Sequence, residues 1–253
     1  MPPARPAVYR SGLPSNSRGE RLADIRIKAR DGGGDFSAYL ATPSGGAGPG
    51  ILLIQEVFGV NQVMRDLADG FATQGYLVVC PDLFWRQQPG IQLTDRTEQE
   101  WARAFELYKG FDEAKGVDDL LATLAHLRGL EGCSGKVGSV GYCLGGKLAF
   151  LMATRSDTDA NVGYYGVGIE AALGEAAKIK QPLMLHIAAE DEYCPRPSQR
   201  KIAEALGGLP PVTLHTYDKM DHAFARVGGQ HYDAAAAKLA NDRTAAFFKQ
   251  HLS

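Results

Sequence analysis

Residues 137–150 read VGSVGYCLGGKLAF, with a cysteine set between glycines where a strand-like run gives way to a helical pattern. Within it, Gly141-Tyr142-Cys143-Leu144-Gly145 fits G-x-nucleophile-x-G. That pattern puts its central residue on a sharp strand-to-helix turn with strained backbone. Glycine is needed on either side because a Cβ there would collide with the neighbouring strand and helix. Cys143 would then stand at a helix N-terminus, where partial positive charge favours a thiolate. The amide of Leu144 would face the same point, ready to stabilise an oxyanion. The plain alternative is an inert thiol buried among packing glycines.

A thiolate nucleophile needs a base, and the base needs a group to orient it. On sheets that use this turn, the partners follow in the order nucleophile, acid, histidine. Here PLMLHIA is followed by AEDEYCP, and VTLHTYD by KMDHAFAR. Asp191 and His222 therefore each fall just past the carboxyl end of a strand, where open-sheet sites form. His222 would take the proton and Asp191 would orient its ring. Glu190 and Glu192 flank Asp191, so order alone does not choose among the three.

The elements that must hold these residues are legible as periodic segments. LADIRIKA (22–29) and DFSAYLATP (35–43) alternate and predict an antiparallel hairpin. GILLIQE, YLVVCPD, KVGSVGY, NVGYYG, QPLMLHIA and VTLHTYD are apolar runs suited to strands buried on both faces. Between them, residues 63–75, 94–109, 112–129 and 145–154 have helical spacing, and 231–252 is a long closing helix. Alternating strands and helices predict an α/β fold, a mostly parallel central sheet with helices on both faces. The 253 residues are 45% hydrophobic, enough for one sizeable core, expected over 22–253 behind a loose N-terminal arm, 1–21. A net charge of −2 argues against nucleic acid or an anionic membrane as partner. No apolar run approaches a membrane span. Cys80, Cys133, Cys143 and Cys194 form no CxxC and no metal-ligand spacing with histidine. Free thiols and no signal peptide fit a reducing cytoplasm.

QEVFGVN (55–61), CPDLFWRQQPG (80–90), GYCLGGKLAF (141–150), VGYYGVG (162–168) and DHAFAR (221–226) together resemble the dienelactone hydrolase family. The resemblance runs from about Leu22 to the end, with the motifs in matching order. It implies an α/β-hydrolase fold and a cysteine hydrolase that opens lactone or enol-ester rings without metal or cofactor. The implied partner is a small-molecule lactone or ester, acted on by a monomer or small homo-oligomer. The family's nucleophile, acid and histidine fall on Cys143, Asp191 and His222. Its glutamate beside the thiol falls on Glu56, and its oxyanion amides on Leu144 and Val57. Glu56 ends a buried strand, so desolvation should raise its pKa. Of the two arginines with which the family holds a substrate carboxylate, one falls on Arg226. The other falls on Trp101, with Arg103 two residues along the helix. Trp cannot replace a bidentate guanidinium. With Phe105 and Tyr108, Trp101 suggests a more aromatic wall, and Tyr165 matches a further pocket position. Substrate is therefore held by Arg103 and Arg226 in a different way, or it is bulkier and less charged, as for a broader carboxylesterase.

Two other classes compete. GYCLGGK also spells G-x-x-x-x-G-K, but Leu148 stands where a phosphate-binding loop needs Ser or Thr. A catalytically silent member of the fold, used for binding, would be expected to lose part of the Cys143–His222–Asp191 set or Glu56.

Overall fold

The computed structural model describes residues 23–253, so the expected arm, 1–21, lies outside them. Ala23–Lys28 (β1) and Asp35–Ala41 (β2) pair antiparallel, from Ala23 opposite Leu40 to Lys28 opposite Asp35. This is the hairpin that their period-two pattern predicts. Six further strands follow: Gly48–Ile54 (β3), Leu77–Pro81 (β4), Cys133–Tyr142 (β5), Ala160–Tyr164 (β6), Leu183–Ala188 (β7) and Val212–Tyr217 (β8). They join one sheet in the order β1-β2-β4-β3-β5-β6-β7-β8. The β2–β4 pair is antiparallel, and every pair from β4 to β8 is parallel.

The helices are Gln62–Thr73 (α1), Glu98–Lys109 (α2), Glu113–Gly129 (α3), Leu144–Arg155 (α4), Arg196–Leu206 (α5) and Ala234–Leu252 (α6). Successive side chains of a strand point to opposite faces, and β3 shows it. Ile51 and Leu53 pack with Met64 and Ala68 of α1 and with Ala237, Ala240 and Phe248 of α6. Leu52 and Ile54 pack with Leu120 of α3 and with Leu148 and Leu151 of α4. The sheet is thus covered on both faces, and its central strands read as unbroken apolar runs. Burying a side chain such as Phe248 contributes on the order of 2–3 kcal/mol.

Three helices depart from the sequence reading, one of them α6, which begins at Ala234 and not at 231 because Asp233 caps it. α2 begins at Glu98, not at 94, because Thr97 caps it. The Thr97 hydroxyl accepts the Glu100 N–H at 3.2 Å, and the Glu100 carboxylate accepts the Thr94 N–H and hydroxyl at 2.9 and 2.7 Å. α5 was not expected, for its sequence is mostly polar. It buries Gln199, Ile202 and Leu206, a 3–4 spacing too sparse to stand out from sequence. No helix among the described residues is long and apolar enough to cross a membrane.

Candidate active site

β5 ends at Tyr142 and α4 starts at Leu144, leaving one residue, Cys143, to make the turn. Its backbone is left-handed, at φ 56° and ψ −115°. The flanking glycines are required by close approach: a Cβ on Gly141 would lie 1.9 Å from the Gly145 carbonyl oxygen. One on Gly145 would lie 2.3 Å from that of Ile54 on β3. Either substitution would drive α4 off the sheet. The Cys143 amide donates to the Tyr164 carbonyl at 3.1 Å, so the turn still belongs to the sheet's hydrogen-bond ladder.

Asp191 lies just beyond β7, buried, and its Oδ2 is 2.8 Å from Nδ1 of His222. Its other oxygen accepts the amides of Tyr193 and Cys194 at 2.9 and 3.2 Å, which fixes the carboxylate's rotation. Glu190 instead pairs with Arg196 at the surface, and Glu192 lines the cavity mouth. The geometry thus selects Asp191 from the three acids. His222 lies beyond β8 and is also buried, with the rings of Tyr193 and Tyr165 edge-on at 4.9 and 5.1 Å. Burial alone would lower its pKa. The nearby Cys143 sulfur and the hydrogen bond to Asp191 outweigh that and raise it to about 10. Cys143 and His222 line one cavity of about 270 Å³.

Glu56 follows β3 at the same edge of the sheet. Gln55 anchors its loop by donating to the Glu56 carbonyl at 3.1 Å and accepting the Leu83 amide at 3.0 Å. Burial pushes the Glu56 carboxyl pKa up, and Arg226 and His222 only partly offset that. Its Oε2 is 3.0 Å from Nη1 of Arg226, yet the angle is not that of a hydrogen bond and the oxygen has no such partner. Arg226 lies 4.3 Å over the Phe58 ring, and its Nε is 3.7 Å from Oδ2 of Asp95. Glu56, Val57, Phe58, Asp95, Trp101, Phe105, Tyr108 and Tyr193 all line the cavity. Trp101 meets Phe58 edge-on at 4.9 Å and stacks on Phe105 at 5.6 Å. The amides of Leu144 and Val57 donate to no protein acceptor among the described residues.

Two expected substrate residues lie elsewhere. Arg103 does not line the cavity: its guanidinium turns away to Gln88, at 2.6 Å, and to Glu106 one turn along. A residue two positions from Trp101 on a helix faces about 200° away. Tyr165 is buried behind the imidazole, on a smaller side cavity that it shares with Glu56 and Arg226. Residues missed from sequence are Phe58, Asp95 and Tyr193. Phe58 stood inside a quoted motif. Asp95 lies in a polar loop and offers no periodic or motif signal. Lys147, in the phosphate-loop reading, is paired with Glu113.

The sheet order, with side chains converging beyond the carboxyl ends of β3, β5, β7 and β8, defines an α/β-hydrolase fold. A crystal structure from Klebsiella pneumoniae, provisionally described as a dienelactone hydrolase, shares that fold at TM-score 0.78. It is 24% identical and covers 91% of this chain and 100% of its own. Residues 36–252 match the dienelactone hydrolase family model, and the chain belongs to that family. A protein of Azospirillum brasilense, provisionally named carboxymethylenebutenolidase, is 54% identical over 233 residues, 91% of this chain and 100% of its own. The carboxymethylenebutenolidase of Pseudomonas putida is 42% identical over 219 residues, 87% of this chain and 92% of its own.

Proposed function

We propose that this protein is a cysteine-dependent hydrolase that opens a lactone or enol-ester ring through a thioester intermediate. The observation that carries the reading is Cys143 on a strained turn, sharing a cavity with an imidazole that is hydrogen-bonded to a buried carboxylate at 2.8 Å. The names of the relatives support a small-molecule lactone as substrate.

The Cys143 sulfur attacks the ring carbonyl, whose π electrons move onto oxygen and into the unspent amides of Leu144 and Val57. The tetrahedral species collapses, the ring C–O bond breaks and the leaving oxygen takes a proton from His222. Water then attacks the thioester, His222 takes its proton, and the sulfur departs as thiolate. Asp191 holds the imidazole for both transfers and stabilises its protonated form. Glu56, with its raised pKa and an oxygen lacking a hydrogen bond, is assigned to take the thiol proton when substrate arrives, leaving the thiolate that attacks. A thiolate is itself a good leaving group, so forward collapse requires a competitive one, such as an enolate. Enol lactones are therefore favoured over simple esters.

Cys143→Ala is expected to lower turnover of an enol lactone by about a thousandfold or more. Cys143→Ser should fall strongly too, because a hydroxyl needs a stronger base. Rates are read beside circular dichroism, to confirm folding, and intact mass after a substrate chase, to detect the acyl adduct on the wild type. A folded Cys143→Ala protein that keeps most of the rate would rule the mechanism out.

A further inference from the structure

Arg226 is the sole Lys or Arg among the described residues that line the cavity, and Glu56, Asp95 and Glu192 line it as well. Its charge is already balanced. Glu56 stands at 3.0 Å from Nη1, and Asp95 at 3.7 Å from Nε. Neither contact has the form of a bidentate bond, and the guanidinium makes no hydrogen bond among the described residues. Arg226 therefore has its charge neutralised and its N–H donors unspent. A group of that kind favours an uncharged oxygen acceptor over a second anion, because a carboxylate would have to displace Asp95 or share the guanidinium with it.

Asp95 is also held in place. The Trp101 indole N–H donates to the Asp95 carbonyl at 3.0 Å, and Trp101 is itself packed between Phe58 and Phe105. An acid against the guanidinium and an indole over the adjoining wall thus form one unit. They supply negative charge and flat apolar surface where a carboxylate-binding pocket would supply positive charge.

We propose that Asp95 is a specificity-determining residue that makes this cavity select an uncharged, flat, conjugated acyl group, with a neutral oxygen at Arg226, over a carboxylated one. This rests on the reading of the cavity as a lactone hydrolase site. The test compares kcat/KM for a neutral enol lactone and its carboxymethylene analogue in the wild type and in Asp95→Asn. The wild type is expected to favour the neutral lactone by about tenfold, and Asp95→Asn to shift that ratio about tenfold toward the carboxylated one. A wild type that favours the carboxylated lactone, with Asp95→Asn moving the ratio less than twofold, overturns the proposal and leaves the hydrolase reading intact. Competition by benzamide and benzoate for the wild-type cavity, read by thermal shift, needs neither turnover nor a variant. Tighter benzamide supports the proposal and tighter benzoate overturns it. If neither lactone is hydrolysed, the hydrolase reading fails while this binding comparison still decides the selectivity.

Discussion

Arg86 and Arg226 each lie over an aromatic ring between two carboxylates, yet they are held differently. Arg86 sits 4.4 Å over Trp85 and grips Asp119 with Nε at 3.0 Å and Nη2 at 2.8 Å. It also reaches Asp31 at 3.2 Å, and Trp85 donates to Asp119 at 2.8 Å. Its Nε and Nη2 donors are spent, and it ties the loop after β4 to α3 and to the β1–β2 turn. Arg226 sits 4.3 Å over Phe58, with carboxylates near but not gripped, on the wall of a cavity. The same components make a staple in one place and, in the other, leave a guanidinium with unspent donors on a cavity wall. The difference is whether the guanidinium's directional bonds are used within the protein.

The largest test of this contrast is stability. Arg86→Met leaves Asp119, 1% exposed at its side chain, buried without its cation, and should cost about 3 kcal/mol in urea denaturation. Arg226→Met should cost under about 1 kcal/mol, because Glu56, already pushed toward its neutral form, takes a proton instead. Equal losses would erase the distinction. The next effect is pH dependence. Because burial holds the Glu56 carboxyl above the usual carboxylate range in the folded protein, its contribution is present at acid pH and lost as pH rises through the raised pKa. Glu56→Gln should therefore lose less stability than the wild type as pH rises from acid to neutral, read by urea denaturation at each pH. An unchanged pH profile would mean that Arg226 fully compensates the buried charge. The smallest effect belongs to Arg103, an exposed arginine paired along its own helix. Arg103→Ala should change stability by less than about 0.5 kcal/mol and leave kcat/KM within twofold. A larger kinetic loss would return Arg103 to the substrate.

The contrast also marks what a linear reading reaches. The turn at Cys143 was legible because it rests on local rules: a strand pattern, a helix pattern, and glycines where backbones meet. The strand ends carrying Asp191 and His222 followed from periodicity, and their pairing from order. Arg226 and Trp101 could be aligned, but what surrounds a guanidinium is decided by chain remote in sequence. Asp95 reaches it from the loop before α2, and Glu56 from the end of β3. Polarity hid α5 for a similar reason, since three buried side chains suffice once a sheet is there to receive them. Helical spacing placed Trp101 and Arg103 on different faces, and it is the tryptophan's face that turns inward.

Three residues around the cavity, Cys143, Tyr165 and Ala223, have left-handed backbone although none is glycine, at φ 56°, 38° and 62°. Each such conformation costs about 1–3 kcal/mol in isolation, and none of the three would persist in a short peptide. The sheet imposes the first two: Cys143 and Tyr165 donate their amides to the carbonyls of Tyr164 and His186 on adjoining strands. The bend that presents the sulfur thus comes into being only when β5, β6 and β7 have zipped together. A chain whose strands have not yet paired therefore has no turn on which to hold Cys143 out from the sheet.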